Sequence, residues 1–284
     1  PPRSTTKPSS AASDVYKRQV VIGTDDQTNK KIMINLYKSI TNEDKILFTS
    51  RRSSELIKYA SNSMLAMRII FINEIADLCE KIGADVTDIA KGIGLDKRIG
   101  PHFLEPGPGF GGSCFPKDAR ALIESGKKYD APQTLLESVI LGNENRKKNI
   151  SKKILNKLDK QTENQIGILG VTFKAETDDM RESPSLIIIP DLQENGMNIS
   201  VYDPEGEKEA SKILKDVNWK KTAYEAAENV DCLVILTDWE EFKNLDLDKI
   251  KNSMKRPLIY DFRNIFDPDM MTELGFEYFS IGRG

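Results

Sequence analysis

The last third of the chain alternates between short apolar runs and stretches with helical spacing. The apolar runs are QIGILGV from position 165, NISVYD from 198, DCLVILT from 231, PLIYDF from 257 and FEYFSI from 276. Continuous apolar strands separated by helices are typical of a parallel sheet that is covered on both faces. The pattern therefore predicts an α/β domain over residues 158–284.

The middle of the chain follows the period of helices instead. Apolar residues from Leu56 to Ile82 recur at 3.6-residue spacing, with Ser53 or Ser54 as the predicted N-cap and Gly83 as the stop. Further helices are predicted over residues 85–92, 116–126 and 134–157. Residues 51–157 are therefore interpreted as a helical domain.

The beginning of the chain carries weaker signals. Residues 20–50 have the pattern of a strand, a helix and a second strand, but they contain no G-x-G-x-x-G phosphate loop. We expect them to be the remnant of an N-terminal nucleotide-binding domain whose start is absent. Residues 1–19 are rich in Ser, Thr, Pro and Ala, and we interpret them as a non-native or disordered tail.

Composition narrows the classes of function. The 284 residues carry a net charge of -3, which provides no basic field for nucleic acid, and no apolar run has the length of a membrane helix. Three widely spaced cysteines favour a reducing, cytoplasmic compartment over a disulfide scaffold. With a single histidine, His102, we expect no metal site.

The stretch EPGPGFGGSCFPKD, residues 105–118, is the strongest candidate for chemistry. Half of its residues are Gly or Pro, which excludes a helix or central strand and lets backbone approach a ligand closely. Cys114 lies within this loop and Asp118 follows four residues later, so a nucleophilic thiol beside a carboxylate is one interpretation. The alternative is a small buried hydrophobe, which the apolar surroundings of Cys79 and Cys232 favour for those two residues.

Lys58 and Asn62 interrupt the apolar pattern of the long helix. They are four residues apart and so share one helix face. A solvated polar face and a functional pair are both compatible with this spacing.

Three segments carry a family resemblance. They are ELIKYASNSMLAMRIIFINEIADLCEKIGAD from position 55, GLDKRIGPHFLEPGPGFGGSCFPKD from 94 and GILGVTFKAETDDMRESPS from 167. They resemble the UDP-glucose 6-dehydrogenases of the UDP-glucose/GDP-mannose dehydrogenase family, and the resemblance runs from about Val20 to the C-terminus.

The resemblance implies a three-part α/β architecture. An N-terminal Rossmann domain for NAD would precede a helical central dimerisation domain and a Rossmann-like parallel-sheet UDP-binding domain. It also implies a homodimer that oxidises UDP-glucose to UDP-glucuronate with two NAD per turnover, with neither nucleic acid nor membrane as partner.

Site residues follow from the resemblance by motif position. Cys114 matches the nucleophile, Lys58 and Asn62 the pair that stabilises the oxyanion, and Asp118 the carboxylate that orients water. Lys117 and Arg181 would contact NAD. The residues that the resemblance places around the substrate are Lys58, Asn62, Arg98, Phe103, Leu104, Glu105, Gly107, Gly109, Phe110, Gly111, Phe173, Lys174 and Arg263.

Because most of the NAD domain is missing from the sequence, we expect the chain alone to be inactive or nearly so. Two alternatives stay open: a catalytically silent UDP-sugar-binding or dimerising module, and a dehydrogenase of another nucleotide sugar such as GDP-mannose.

Overall fold

The computed structural model describes residues 20–158 and 164–283, so the predicted tail over residues 1–19 lies outside the described residues. The chain divides into two compact units, Pro1–Asn62 and Ser63–Gly284. In the described part of the chain, no helix is both long enough and apolar enough to cross a membrane.

The first unit contains the predicted strand–helix–strand segment. Strand β1 (Val20–Gly23) leads to helix α1 (Gln27–Tyr37), a 3-10 turn (Glu43–Lys45) and strand β2 (Ile46–Thr49). The two strands pair in parallel, with Val20 opposite Ile46. The Asp26 carboxylate caps α1 by accepting hydrogen bonds from the backbone N–H groups of Thr28 and Asn29.

Helix α2 (Arg51–Ile82) begins earlier than predicted. The Ser50 hydroxyl, rather than that of Ser53 or Ser54, accepts a hydrogen bond from a first-turn amide, the N–H of Ser53, at 3.1 Å. The predicted end of the helix is confirmed, because Gly83 has φ +72°, a left-handed conformation that glycine adopts without strain.

Three more helices belong to the second unit: α3 (Val86–Gly94), α4 (Phe115–Lys128) and α5 (Thr134–Leu155). An apolar cluster joins α4 and α5 to α2 and to the loop before α4. Its buried members are Ala66, Ile70, Phe110, Ala119, Ile123, Leu136 and Val139.

The rest of the unit is a six-stranded parallel sheet. Its strands are β3 (Gln165–Leu169), β4 (Asn198–Tyr202), β5 (Val217–Trp219), β6 (Cys232–Ile235), β7 (Leu258–Asp261) and β8 (Glu277–Ser280). Its helices are α6 (Ser185–Glu194), α7 (Glu207–Ala210), α8 (Ala223–Ala227), α9 (Glu240–Lys243), α10 (Leu247–Ser253) and α11 (Pro268–Glu273).

The strands lie in the order β5-β4-β3-β6-β7-β8. This is the doubly wound order, in which the chain reverses direction across the sheet between β3 and β6. The parallel α/β prediction is therefore confirmed, although the three-residue β5 was not predicted. The predicted domain limits at 50/51 and 157/158 stay predictions.

The helical part and the sheet of the second unit share one apolar core. Ile72 and Ala76 of α2 and Ile150 and Ile154 of α5 belong to the same buried cluster as sheet residues such as Ile168. Because α2, α5 and the sheet exclude water together, the loops at the carboxyl ends of the strands are fixed against the helices.

Asp203, directly after β4, holds the loop that follows β3. Its Oδ2 accepts hydrogen bonds from Val171 N–H at 2.6 Å and Thr172 N–H at 3.1 Å, and its Oδ1 accepts from Gly206 N–H at 2.7 Å. The side chain is buried, so these amides have no access to replacement water.

We predict that Asp203→Ala lowers the free energy of unfolding by about 3 kcal/mol or more, because several buried amides lose their acceptor. Urea denaturation followed by circular dichroism measures the change. The control Asp248→Ala removes an exposed carboxylate and should shift stability by less than about 0.5 kcal/mol. Equal stability of the two variants would contradict this role for Asp203.

Candidate active site

The Gly-rich loop before α4 is buried from Gly107 to Gly112 although it has no regular secondary structure. Its backbone groups therefore need partners other than water. At Gly107, the N–H donates to Oδ1 of Asn73 at 2.8 Å, and the C=O accepts from Nε of Arg146 at 3.1 Å. Both side chains are buried, on α2 and α5 respectively.

Asn143 of α5 pairs with Phe110 as a second peptide group would. Its Oδ1 accepts from Phe110 N–H at 2.8 Å, and its Nδ2 donates to Phe110 C=O at 3.0 Å. Gly109 lies close to the same side chain, because a Cβ at Gly109 would stand 2.9 Å from Asn143 Oδ1. Gly109 also has φ +119°. A glycine is thus required on both steric and conformational grounds.

The next two glycines face the segment that follows β3. Gly112 N–H donates to Arg181 C=O at 2.7 Å. A Cβ at Gly111 would lie 2.4 Å from the Glu182 carbonyl oxygen, and one at Gly112 would lie 2.7 Å from the Phe173 ring. Gly107, Gly109 and Gly112 have the spacing of G-x-G-x-x-G, but this loop follows helix α3 rather than a strand, so it is not a dinucleotide turn.

Cys114 is exposed and occupies the N-cap position of α4. Its Sγ lies 3.7 Å from the Ser113 hydroxyl. Cys79 and Cys232 are buried instead, and burial raises the pKa of both thiols. The alternative of a small buried hydrophobe is therefore excluded for Cys114, because its side chain is exposed. Its role as the nucleophile stays a prediction.

Asp118 lies in the first turn of α4 and is buried, with 3% of its surface exposed. Lys117 is exposed, and its Nζ lies 2.5 Å from Asp118 Oδ1. The carboxylate thus stays near the start of the helix that Cys114 caps, and the ammonium compensates its charge.

Arg263 follows β7 and connects three loops. Its Nε donates to Leu236 C=O at 2.7 Å and its Nη2 to Phe173 C=O at 3.3 Å, and a Cβ at Gly107 would lie 3.4 Å from its Nη1. Burial lowers the pKa of Arg263, which the charges of Asp238 and Asp261 partly offset. Lys174 Nζ stands 5.6 Å from the centre of the Phe173 ring. The structure therefore brings together Gly107, Gly111, Phe173, Lys174 and Arg263.

Arg181 holds its guanidinium against the neighbouring Asp179, with Nη2–Oδ2 at 2.7 Å. The hydrogen bond with Asp179 and that carboxylate's charge raise the pKa of Arg181, and the nearby charge of a Cys114 thiolate adds to the shift. Arg181 is thus an ion-paired cation whose own carbonyl accepts from Gly112 N–H, two residues before the candidate nucleophile.

Other predicted residues are less central. Arg98 is exposed and pairs with Asp96 at 2.6 Å, and Glu105 is exposed. Phe103 packs edge-on against Phe115 with ring centres 6.1 Å apart. The Leu104 side chain belongs to the buried core, which leaves only its backbone for contact with a ligand.

Lys58 and Asn62 belong to the first unit. The Lys58 Nζ donates to Asn62 Oδ1 at 3.4 Å, so the two side chains meet on one helix face as their spacing predicts. Their approach to Cys114 stays a prediction.

Sequence reasoning missed the polar residues that hold the loop. Asn143, Arg146 and Lys147 occupy the buried face of α5, between Val139 and Ile150. The signal was present, because polar residues at positions i, i+3 and i+4 interrupt an apolar helical stripe. Asn73 interrupts the stripe of α2 in the same way.

We predict that Asn143→Ala lowers the free energy of unfolding by about 2–3 kcal/mol, because the buried N–H and C=O of Phe110 both lose their partner. Urea titration measures this loss. Asn145→Ala on the exposed face of α5 is the matched control and should change stability by less than about 0.5 kcal/mol. A loss at Asn143 no larger than at Asn145 would contradict the contribution of this pairing.

Comparison with known proteins places these features in a family. Residues 52–145 match the model of the UDP-glucose/GDP-mannose dehydrogenase family, central domain, and residues 167–268 match that of the family's UDP binding domain. The UDP-glucose 6-dehydrogenase of Rhizobium meliloti (strain 1021) is 47% identical over 279 residues, which cover 96% of this chain and 64% of that protein. A UDP-glucose 6-dehydrogenase of Bacillus subtilis (strain 168) is 46% identical over 239 residues, 84% of this chain and 52% of that protein.

Solved structures give the same result. A UDP-glucose dehydrogenase from Pyrobaculum islandicum superposes with a TM-score of 0.81 at 30% identity, covering 94% of this chain and 59% of that one. A UDP-D-ManNAc dehydrogenase from Pyrococcus horikoshii reaches a TM-score of 0.76 at 26% identity, covering 95% and 62%. The chain spans less than two thirds of the length of these relatives. With two models of one family matching most of its sequence, this chain belongs to the UDP-glucose/GDP-mannose dehydrogenase family.

Proposed function

We propose that this chain carries the nucleophile and the nucleotide-sugar site of an NAD-dependent UDP-glucose 6-dehydrogenase. The observation that carries the proposal is the exposed Cys114 thiol at the start of α4, four residues before the buried Asp118. The glucose assignment rests on the similarity to UDP-glucose 6-dehydrogenases at 42–47% identity.

The proposed reaction converts the C6 alcohol of UDP-glucose to a carboxylate in two oxidations. After the first, the Cys114 thiolate adds to the aldehyde carbon and forms a thiohemiacetal. Loss of a hydride from that carbon gives a thioester, and water cleaves it to release UDP-glucuronate and the thiol. Water supplies the second carboxylate oxygen, and the buried Asp118 is the proposed acceptor for a proton of that water.

Lys58 and Asn62 are proposed to stabilise the negative charge that develops on the C6 oxygen. An ammonium and an amide donor on one helix face suit an oxyanion. Their meeting with Cys114 is part of this proposal.

The nucleotide-sugar contacts are proposed for the cluster around Arg263. The partly buried guanidinium lies against Gly107 and the Phe173 carbonyl, and Lys174 lies over the Phe173 ring, so a cation, an aromatic ring and approachable backbone lie together. Such a set suits a uridine diphosphate. Phe103, Leu104, Glu105 and Arg98 are proposed to complete the sugar site from the segment before it.

NAD, when bound, accepts one hydride at each oxidation. Lys117 and Arg181 are the proposed contacts, and both fit an anionic cofactor because their side chains are about two-thirds exposed close to Cys114. Since residues 20–50 hold no G-x-G-x-x-G loop, we expect this chain alone to turn over little or no UDP-glucose. A cytoplasmic location belongs to the same proposal.

A homodimer through the central helices is also proposed. Met64, Phe71 and Leu78 lie seven residues apart on α2, and each exposes at least half of its surface. A seven-residue apolar spacing forms a continuous stripe on a helix and is typical of helix pairing.

The second candidate function is a UDP-sugar-binding module without catalysis, and the third is action on another nucleotide sugar.

We predict that Cys114→Ser, in this chain preceded by a dinucleotide-binding domain, lowers UDP-glucuronate formation by on the order of 10³-fold. Serine lacks the ionised nucleophile, while titration calorimetry should show unchanged UDP-glucose binding. NADH absorbance and product chromatography measure the rate.

Cys79→Ser is the control for loss of a thiol outside the site, and it should keep the rate. Full product formation by Cys114→Ser would refute the covalent step. UDP-glucose binding without turnover in the unsubstituted extended protein would favour the silent module, and faster turnover of GDP-mannose would favour the third candidate.

For the dimer, we predict that Phe71→Glu raises the dissociation constant at least about 100-fold, because a charge is buried in the apolar stripe. Analytical ultracentrifugation of the full chain measures it. Ile213→Glu, at another exposed apolar residue, is the control and should leave the mass unchanged. A monomeric unsubstituted chain, or a dimer that tolerates Phe71→Glu, would argue against this interface.

A further inference from the structure

Two consecutive residues, Arg181 and Glu182, contact the Cys114 segment on both sides of the cysteine. Before it, the Arg181 carbonyl accepts from Gly112 N–H at 2.7 Å. After it, the Glu182 carboxylate pairs with Arg120 of α4 through two hydrogen bonds of 2.6 and 3.1 Å. Residues 181 and 182 therefore hold the chain both before and after Cys114.

The conformation of Glu182 needs support from its surroundings. Its φ of +54° is left-handed, which side-chain-bearing residues rarely adopt. Its carbonyl oxygen faces the loop so closely that a Cβ at Gly111 would lie 2.4 Å away. A small displacement of this carbonyl would shift the loop.

Lys147 supplies that support from inside the molecule. Its Nζ donates to the Glu182 carbonyl oxygen at 3.0 Å, and only 3% of the residue is exposed. Its stem borders the loop as well, since a Cβ at Gly109 would lie 3.2 Å from Lys147 Cγ. Burial lowers the pKa of Lys147, the charges of Glu182 and Glu144 oppose this shift, and the charge of Arg120 adds to it.

An amine at such depth is costly to bury, and a plain apolar side chain would fill the same space on α5. Its hydrogen bond goes to a backbone carbonyl rather than to a carboxylate, so it serves to fix that peptide group. By contrast, the neighbouring Lys148 is exposed.

We propose that Lys147 is a positioning residue for Cys114, acting through the Glu182 carbonyl to keep the thiol at the N-terminus of α4. The inference rests on the proposed function only in taking Cys114 as the nucleophile. Thiol reactivity depends on the dipoles and charges placed around the sulfur, here the first N–H groups of α4 and the Arg181 guanidinium. When Lys147 no longer holds residue 182, the thiol loses its fixed position relative to both.

The test is the alkylation rate of Cys114 by iodoacetamide in the folded 284-residue chain, followed by peptide mass spectrometry at several pH values. For Lys147→Met, which keeps the length of the side chain and removes the ammonium, we expect alkylation at neutral pH to be about 3- to 10-fold slower. Lys148→Met is the matched control and should react as the unsubstituted chain does. Cys79 and Cys232, both buried, report on folding because they stay unmodified in folded protein.

A rate for Lys147→Met equal to or above that of the control would overturn the proposal, even if thermal stability falls. Should that variant fail to fold, Arg120→Met tests the contact on the other side of Cys114 from a half-exposed residue, and there too we expect slower alkylation. An unchanged rate in this second variant would count against the proposal. If the unsubstituted chain reacts no faster than a free thiol, the nucleophile assignment itself fails, which is a separate result.

Discussion

The candidate site depends on hydrogen bonds between buried side chains and the backbone of a loop that has no secondary structure. Residues 107–112 are enclosed between α2, α5 and the segment after β3, where water cannot satisfy their peptide groups. Three side chains bond these peptide groups instead, those of Asn73, Arg146 and Asn143. The carbonyl of Arg181 accepts a further hydrogen bond from a loop N–H group. These hydrogen bonds hold in one conformation a Gly-rich sequence that would be mobile in water. Cys114 comes shortly after this sequence in the chain.

The sequence predicted the elements of the fold better than their limits. Short, continuously apolar runs such as CLVI of β6 are buried on both faces, so their pattern alone indicated a parallel sheet. Strand β5 was not predicted because it has only three residues, lies at the sheet edge and contains no apolar run. The start of α2 was misplaced because Ser50, Ser53 and Ser54 all have the chemistry of a cap, and only geometry selects Ser50.

The sequence indicated those parts of the site whose composition is unusual, and it did not indicate residues whose types and spacing are ordinary. The dense Gly and Pro content around Cys114 predicted close backbone approach to a ligand, which stays a prediction. At Gly109, Gly111 and Gly112 the structure shows close approach to neighbouring protein atoms. Lys147 was missed although it interrupts the apolar stripe of α5, because a lysine at such a position can also be solvated and only the structure shows that it is buried. No local pattern reveals that Arg263, far along the chain, lies against Phe173 and Gly107.

The hydrogen bonds of the Asp203 carboxylate determine how an affinity change after its mutation should be interpreted. In dinucleotide-binding sheets of the same strand order, an acidic residue after the second strand accepts the ribose hydroxyls. Here the equivalent carboxylate has turned inward and both of its oxygens are engaged with peptide N–H groups. Because both carboxylate oxygens accept hydrogen bonds within the protein, a loss of affinity after mutation of Asp203 would report disruption of the loop after β3 rather than removal of a direct contact with the nucleotide.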